Sequence, residues 1–165
     1  MRHTRHRPTP QQAGHLRALF GSLAATLGGP DQRPVVVRHA LRLALTRDPP
    51  LTSVRAWAAE LGVRRDALWR AVRPWLNGLR PEDLLDAVLL ARAVELRAGG
   101  TTWVEVGVRL GVHDHTIARI ARRLLEKRLS ELDADPLAIG RWLSSVLPEG
   151  ASPAHTPLLP RPDSV

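Results

Sequence analysis

The chain has 165 residues, 24 of them Lys or Arg against 16 Asp or Glu, for a formal charge of +8, and no cysteine. That composition excludes a disulfide framework and thiol chemistry, and no apolar run approaches the roughly 18 residues needed to cross a membrane. The basic start Met1–Pro10 lacks the apolar stretch of a secretory signal, so the sequence points to a cytoplasmic protein with a polyanionic partner.

Residues 1–10, basic and proline-containing, read as a disordered arm. An N-terminal helix is predicted within 11–30, from Gln11 to Leu27. Leu16, Leu19, Phe20, Leu23 and Leu27 recur on one face, and Gly28-Gly29-Pro30 stops it. A first helix-turn-helix subdomain spans 33–80. Its opening helix has Pro34 in the first turn, buries Val37, Leu41 and Leu45, and ends after Thr46 before Pro49-Pro50. The second helix of the helix-turn-helix that follows should reach Trp75, and Asn77-Gly78 is a turn.

A connecting helix is predicted over 81–100. Pro81-Glu82-Asp83 starts it, with proline in the first turn and acids at the positive end of the dipole. It runs to Ala98, roughly 25 Å, and Gly99-Gly100 closes it. The second helix-turn-helix, 101–130, opens with the capping-box pattern Thr102 to Glu105, and its last helix should continue to Leu129. A C-terminal helix within 131–147 is capped by Asp135-Pro136 and carries Ile139, Trp142, Leu143 and Val146. Residues 148–165, with five prolines, read as a disordered tail. No segment alternates with period two, so the predicted fold is all-α.

Residues 52–73 and 101–122 form a repeat 49 positions apart. In each copy a tiny residue (Ala58, Gly107) lies four positions before a glycine (Gly62, Gly111). An aliphatic residue (Leu68, Ile117) follows six later, and an arginine two beyond that (Arg70, Arg119). Two helices joined by a three- or four-residue turn cross closely. The tiny residue allows the approach, and the glycine takes a left-handed conformation that costs other residues about 1–2 kcal/mol. Val63 or Val112 then plugs the angle together with Leu68 or Ile117. The copies agree further at Trp57/Val106, Leu61/Leu110 and Arg73/Arg122. Two such units in a basic chain point to double-stranded DNA as the partner.

The charge is unevenly spread. Residues 1–50 hold eight arginines and two acids, 51–128 fourteen basic and nine acidic residues, and 129–165 two arginines and five acids. The positive charge therefore sits on the repeats and on the segment before them. The buried stripes on the second helices should be Leu68, Ala71 and Val72, and Ile117, Ile120 and Leu124. That leaves Arg65, Asp66, Trp69, Arg70 and Arg73 facing out in the first copy, and Asp114, His115, Ala118, Arg119 and Arg122 in the second.

The order helix, helix-turn-helix, long connecting helix, second helix-turn-helix resembles the DNA-binding domain of AraC/XylS-type transcription regulators over roughly Val35–Leu129. The resemblance rests on Ala58, Gly62, Leu68 and Arg70, on the connecting-helix stretch Arg92–Leu96, and on Val104–Gly111. Departures are Val112 where that family has phenylalanine, shorter spacing to Ile117, Leu124-Leu125 in place of aromatics, and Leu89 in place of arginine. No effector domain is recognisable. The resemblance implies that both recognition helices enter successive major grooves on one face of the duplex. It places base contacts around Asp66, Trp69 and Arg70, and around Asp114, His115 and Arg119.

Arg65 joins that base-reading set, in which Arg70 and Arg119 suit guanine through paired hydrogen bonds to O6 and N7. Trp69 either packs on thymine methyls or belongs to a helix interface. Arg64, Arg73, Arg122, Arg123 and Arg128 suit phosphate, which positions a protein without specifying sequence. Asp66 and Asp114 either accept from cytosine or stabilise their helix N-termini. His113 and His115, two apart on a helix with no cysteine nearby, do not make a metal site. No catalytic constellation or phosphate-binding loop is present, so neither an enzyme nor a cofactor is expected. The alternatives are a sigma-like or transposase-type reader of phage or plasmid origin, and a helical adaptor. In the adaptor, the Leu16/Leu19/Phe20/Leu23 face is the working surface. The same face is a candidate homodimer contact, and RNA polymerase is a candidate second partner.

Overall fold

The computed structural model describes residues 6–27 and 33–147, and among these every regular element is helical. The elements are α1 (Pro10–Leu27), α2 (Val35–Thr46), α3 (Val54–Leu61), α4 (Arg65–Val72), α5 (Pro81–Ala98), α6 (Trp103–Leu110), α7 (Asp114–Leu125), α8 (Leu129–Ala134) and α9 (Ala138–Val146). A 3-10 turn, Arg73–Trp75, follows α4. None of these helices is long and apolar enough to cross a membrane. The predicted arm residues 1–5, the linker 28–32 and the tail 148–165 lie outside the described residues.

The helix expected to connect two subdomains is the axle of a shared core. Leu84, Leu85, Ala87, Val88, Leu89, Leu90, Ala91, Ala93 and Val94 of α5 are all buried. They point to every side of the helix, which is the pattern of a helix enclosed by others. Six elements pack on it: α1, α2, α3, α6, α7 and α9. Its start is as the sequence predicts, with Pro81 in the first turn and Glu82 and Asp83 beside it.

Helix α1 begins one residue earlier than predicted because Thr9 and Gln12 cap it reciprocally. The Gln12 N–H donates to Thr9 Oγ1 at 3.2 Å and the Thr9 N–H to Gln12 Oε1 at 2.9 Å. Pro8 is buried and Arg7 Nη1 donates to Gly100 O at 3.4 Å, so Arg7 of the expected arm reaches the α5–α6 loop. Leu16, Phe20, Leu23 and Ala24 are buried, with Leu19 packed against them. A Cβ on Gly140 of α9 would come within 2.7 Å of Leu19 Cδ2, so glycine permits that close approach. The apolar face of α1, a candidate dimer or adaptor surface in the sequence, is thus part of the molecule's own core.

Two further boundaries differ from the sequence reading. Pro74 ends the α-helical part of the second helix at Val72 and tightens the chain to the 3-10 turn. The predicted run to Leu129 breaks at Glu126, which takes a left-handed conformation (φ 57°, ψ 24°) with its N–H on the Ala121 and Arg122 carbonyls. The chain then restarts as α8, where the Arg128 N–H donates to Glu131 Oε2 at 2.5 Å and Leu132 is fully buried. The C-terminal helix expected from Asp135-Pro136 to Leu147 corresponds to α9, with α8 before it as a separate short helix.

Candidate nucleic-acid interface

The repeated residues build two helical corners of matching backbone geometry. Gly62 has φ 65°, ψ 28° and Gly111 has φ 68°, ψ 27°. The hydrogen bonds match as well, with the Val63 N–H on Ala58 O at 3.0 Å and the Val112 N–H on Gly107 O at 2.9 Å. Each first helix is capped by a hydroxyl 49 positions from its counterpart. Ser53 Oγ accepts from the Ala56 N–H at 3.1 Å, and Thr102 Oγ1 from the Glu105 N–H at 3.3 Å. Only the second copy completes the box, since Glu105 Oε2 takes the Thr102 N–H at 2.8 Å. Those bonds from Thr102 hold the Glu105 carboxyl below its usual pKa.

The tiny residue does its work at the turn. A Cβ on Gly107 would meet Val112 O at 2.7 Å and Asp114 N at 3.0 Å, both backbone atoms of the corner. Val112 packs against the core, but Val63 is 36% exposed and does not plug its corner. Leu68 and Val72 anchor α4, with Ala71 half-buried beside them. Ile117, Ile120, Ala121 and Leu124 anchor α7.

On α4 and its flanks, Arg64, Arg65, Asp66, Arg70 and Arg73 are exposed; on α7, so are His115, Arg119, Arg122 and Arg123. Asp114 and Ala118 are half-buried. Arg70 Nε donates back to Asp66 O at 3.3 Å, and its terminal nitrogens make no hydrogen bond among the described residues. Trp69 is half-buried and packs against the core, with the Arg73 guanidinium 4.6 Å above its ring. Of the two sequence readings for Trp69, interface packing fits, and Arg73 is stacked rather than extended. Asp66 and Asp114 lie in the first turns of α4 and α7, where a carboxylate favours the helix dipole.

The expected phosphate set divides. Among the described residues, Arg64, Arg70, Arg119 and Arg122 make no ion pair. Arg128 lies beyond the end of α7, at the start of α8. Arg123 is engaged with the carboxylates of Asp83 and Asp86 on α5. Asp83 is also held by Arg80 Nε at 2.9 Å, and Arg65 Nη2 is 3.8 Å from Glu82 Oε1. Burial pushes the Asp83 pKa up, but the hydrogen bonds from Arg80 and Arg123 outweigh it and hold the group below its ordinary value. For Asp86 burial wins over the attraction of Arg123 and Arg119, and its pKa is raised.

Two features escaped the sequence reading. Buried Arg97 near the end of α5 grips Asp133 through Nε at 3.0 Å and Nη2 at 3.1 Å, and donates from Nη1 to Thr101 O at 2.9 Å. Trp103 Nε1 adds a 3.3 Å bond to the same carboxylate. This clasp fixes the start of α6 to the axle, and its partners lie 36 residues apart, beyond the reach of local pattern. Arg55 is the second. It joins Arg64, Arg65 and Asp66 around an open recess floored by Ala58 and Ala59. In the second copy the equivalents of Arg55 and Ala59 are Val104 and Val108, which are 62% and 77% exposed. Among the described residues no three His, Asp or Glu side chains gather to hold a metal.

No family model, curated protein or solved structure matches the chain.

Proposed function

We propose that the chain is a sequence-specific DNA-binding transcription regulator of AraC/XylS type, reading two major-groove sites with the outward faces of α4 and α7. The observation that carries the reading is the pair of matched corners. Gly62 and Gly111 share one backbone geometry, and each sets up a helix whose exposed side carries arginine at the same register, Arg70 and Arg119. Arginines at such positions suit guanine, and the net charge of +8 suits the duplex as a whole. Both corners pack on one rigid axle, α5, which keeps them in fixed relation. The adaptor alternative loses its main support, because the α1 face it would use is buried.

Selection of bound sites from a random duplex pool, followed by mobility shifts across a salt titration, tests the reading. Two boxes about one helical turn apart are expected, with affinity falling steeply as salt rises. Arg70→Ala and Arg119→Ala should each relax preference at one end of the site, at a cost of about 1–3 kcal/mol. Equal weakening on every sequence would remove both arginines as readers.

A further inference from the structure

The duplicated corners meet different electrostatic surroundings. Arg123 of α7 faces the first two turns of α5, where Asp83 and Asp86 both bind its guanidinium, whereas Arg119, one turn before it, makes no ion pair among the described residues. In the first copy, proline stands at the position equivalent to Arg123, and Arg70 meets no carboxylate among the described residues. Its neighbour Arg65 meets only exposed Glu82, at 3.8 Å.

Helix geometry does not require an acid at residue 86. The favourable effect of the helix dipole on an acid fades beyond the first turn, which covers Glu82 and Asp83 but not Asp86. Asp86 also sits within the apolar run Leu84–Leu90, with its side chain only 27% exposed. A carboxylate partly shielded from water attracts a guanidinium more strongly than one on open surface.

We propose that Asp86, with Asp83, is an electrostatic brake on the second unit, competing with DNA for Arg123. The proposal rests on the DNA reading above and gives its regulation. A phosphate approaching α7 at Arg123 must displace one carboxylate from its guanidinium and come close to the other. The first unit carries no such penalty, since Pro74 stands where the second has Arg123. The first half-site therefore dominates binding, and the second discriminates only where its contacts overcome the acids.

The test uses the full chain and a duplex from the selection, with each half-site scrambled in turn. For the wild type, scrambling the first half-site should weaken binding more than scrambling the second. Asp86→Asn should bind about fivefold tighter at low salt, the effect of one unit charge about 4 Å away in high dielectric. Its salt slope should steepen by about 0.9, for one more phosphate engaged. The cost of scrambling the second half-site should grow while that of the first stays fixed.

Asp86→Ser is carried alongside, so that a folded charge-free variant is available, with cooperative melting checked by circular dichroism. Arg123→Met separates bracing from braking. Bracing alone predicts weaker binding in both Asp86→Asn and Arg123→Met, whereas the brake predicts opposite shifts. Equal or weaker binding by the folded charge-free variants, or a gain confined to the first half-site, overturns the brake while the DNA reading stands. Failure of the wild type to shift any duplex at low salt overturns the DNA reading and the brake with it.

Discussion

Replacing Asp133 with alanine should be among the most damaging single changes outside the aliphatic core. The carboxylate accepts two parallel hydrogen bonds from Arg97 and a third from Trp103 Nε1. The two charged side chains are only 8% and 11% exposed. Removing one partner of a buried pair typically costs about 3–5 kcal/mol, because the other charge stays behind without compensation. Arg97 would keep its bond to Thr101 O and its position 5.8 Å from the Trp103 ring centre, so the lower part of that range applies. A loss of about 3 kcal/mol corresponds to a fall in Tm of about 6–12 °C for a chain of this length. Chemical denaturation followed by circular dichroism measures it directly. In a double-mutant cycle, Arg97→Met/Asp133→Ala should be no less stable than Asp133→Ala alone, with coupling of about 2 kcal/mol. A loss below about 1 kcal/mol, or additive single effects, would refute the clasp as an anchor of the second unit.

Gly62→Ala and Gly111→Ala should each cost about 1–2 kcal/mol in urea denaturation. Both glycines are left-handed with nothing within 4 Å of a new Cβ, so the strain is backbone strain alone and should be equal in the two copies. Gly107→Ala instead forces backbone atoms 2.7 Å and 3.0 Å away to move, a cost of about 1–3 kcal/mol that a melting curve would detect. Acid should weaken the fold partly through Asp83, whose pKa is lower folded than unfolded. Its contribution is complete above the unfolded value near 4 and is lost as pH falls through the folded one. The urea midpoint of the wild type should therefore drop below about pH 4, and Asp83→Asn should flatten that limb. Trp69→Ala should lower stability, measured by the shift in Tm, while leaving base preference in site selection unchanged, since its ring packs against the core under Arg73.

How far the fold could be read depended on how local each cause is. The glycines of the two corners, the Ser53 and Thr102 caps and the Pro81 start act within a few residues of themselves, and the helices around them lie where the sequence places them. The break at Glu126 had no such sign, because glutamate carries no left-handed preference and Leu124–Leu129 keeps helical spacing across it. What decides there is tertiary: α8 must turn back so that Leu132 enters the core. Helix α5 was legible in extent but not in role. Its apolar residues occupy every side from Leu84 to Val94, a pattern that marks a core axle, yet its place between two repeats suggested only a connection between them.

The surface proposed for DNA divides along the same line. Arg64, Arg65, Arg70, His115, Arg119 and Arg122 are exposed as the helical spacing requires, because exposure follows from which neighbours are apolar. Whether an exposed arginine is available is a different question, settled by side chains far away in sequence. Arg123 is 40 residues from Asp83, and only the fold brings them together. Arg97 and Asp133 are joined in the same way. The two copies share the backbone of the corner, which needs a tiny residue, a glycine and an aliphatic plug. They do not share its neighbours. The first copy has one axle carboxylate near Arg65, whereas the second lies against two at Arg123. Two units of one geometry thus differ in free positive charge, and that difference, more than any residue within the repeat, distinguishes what the two could bind.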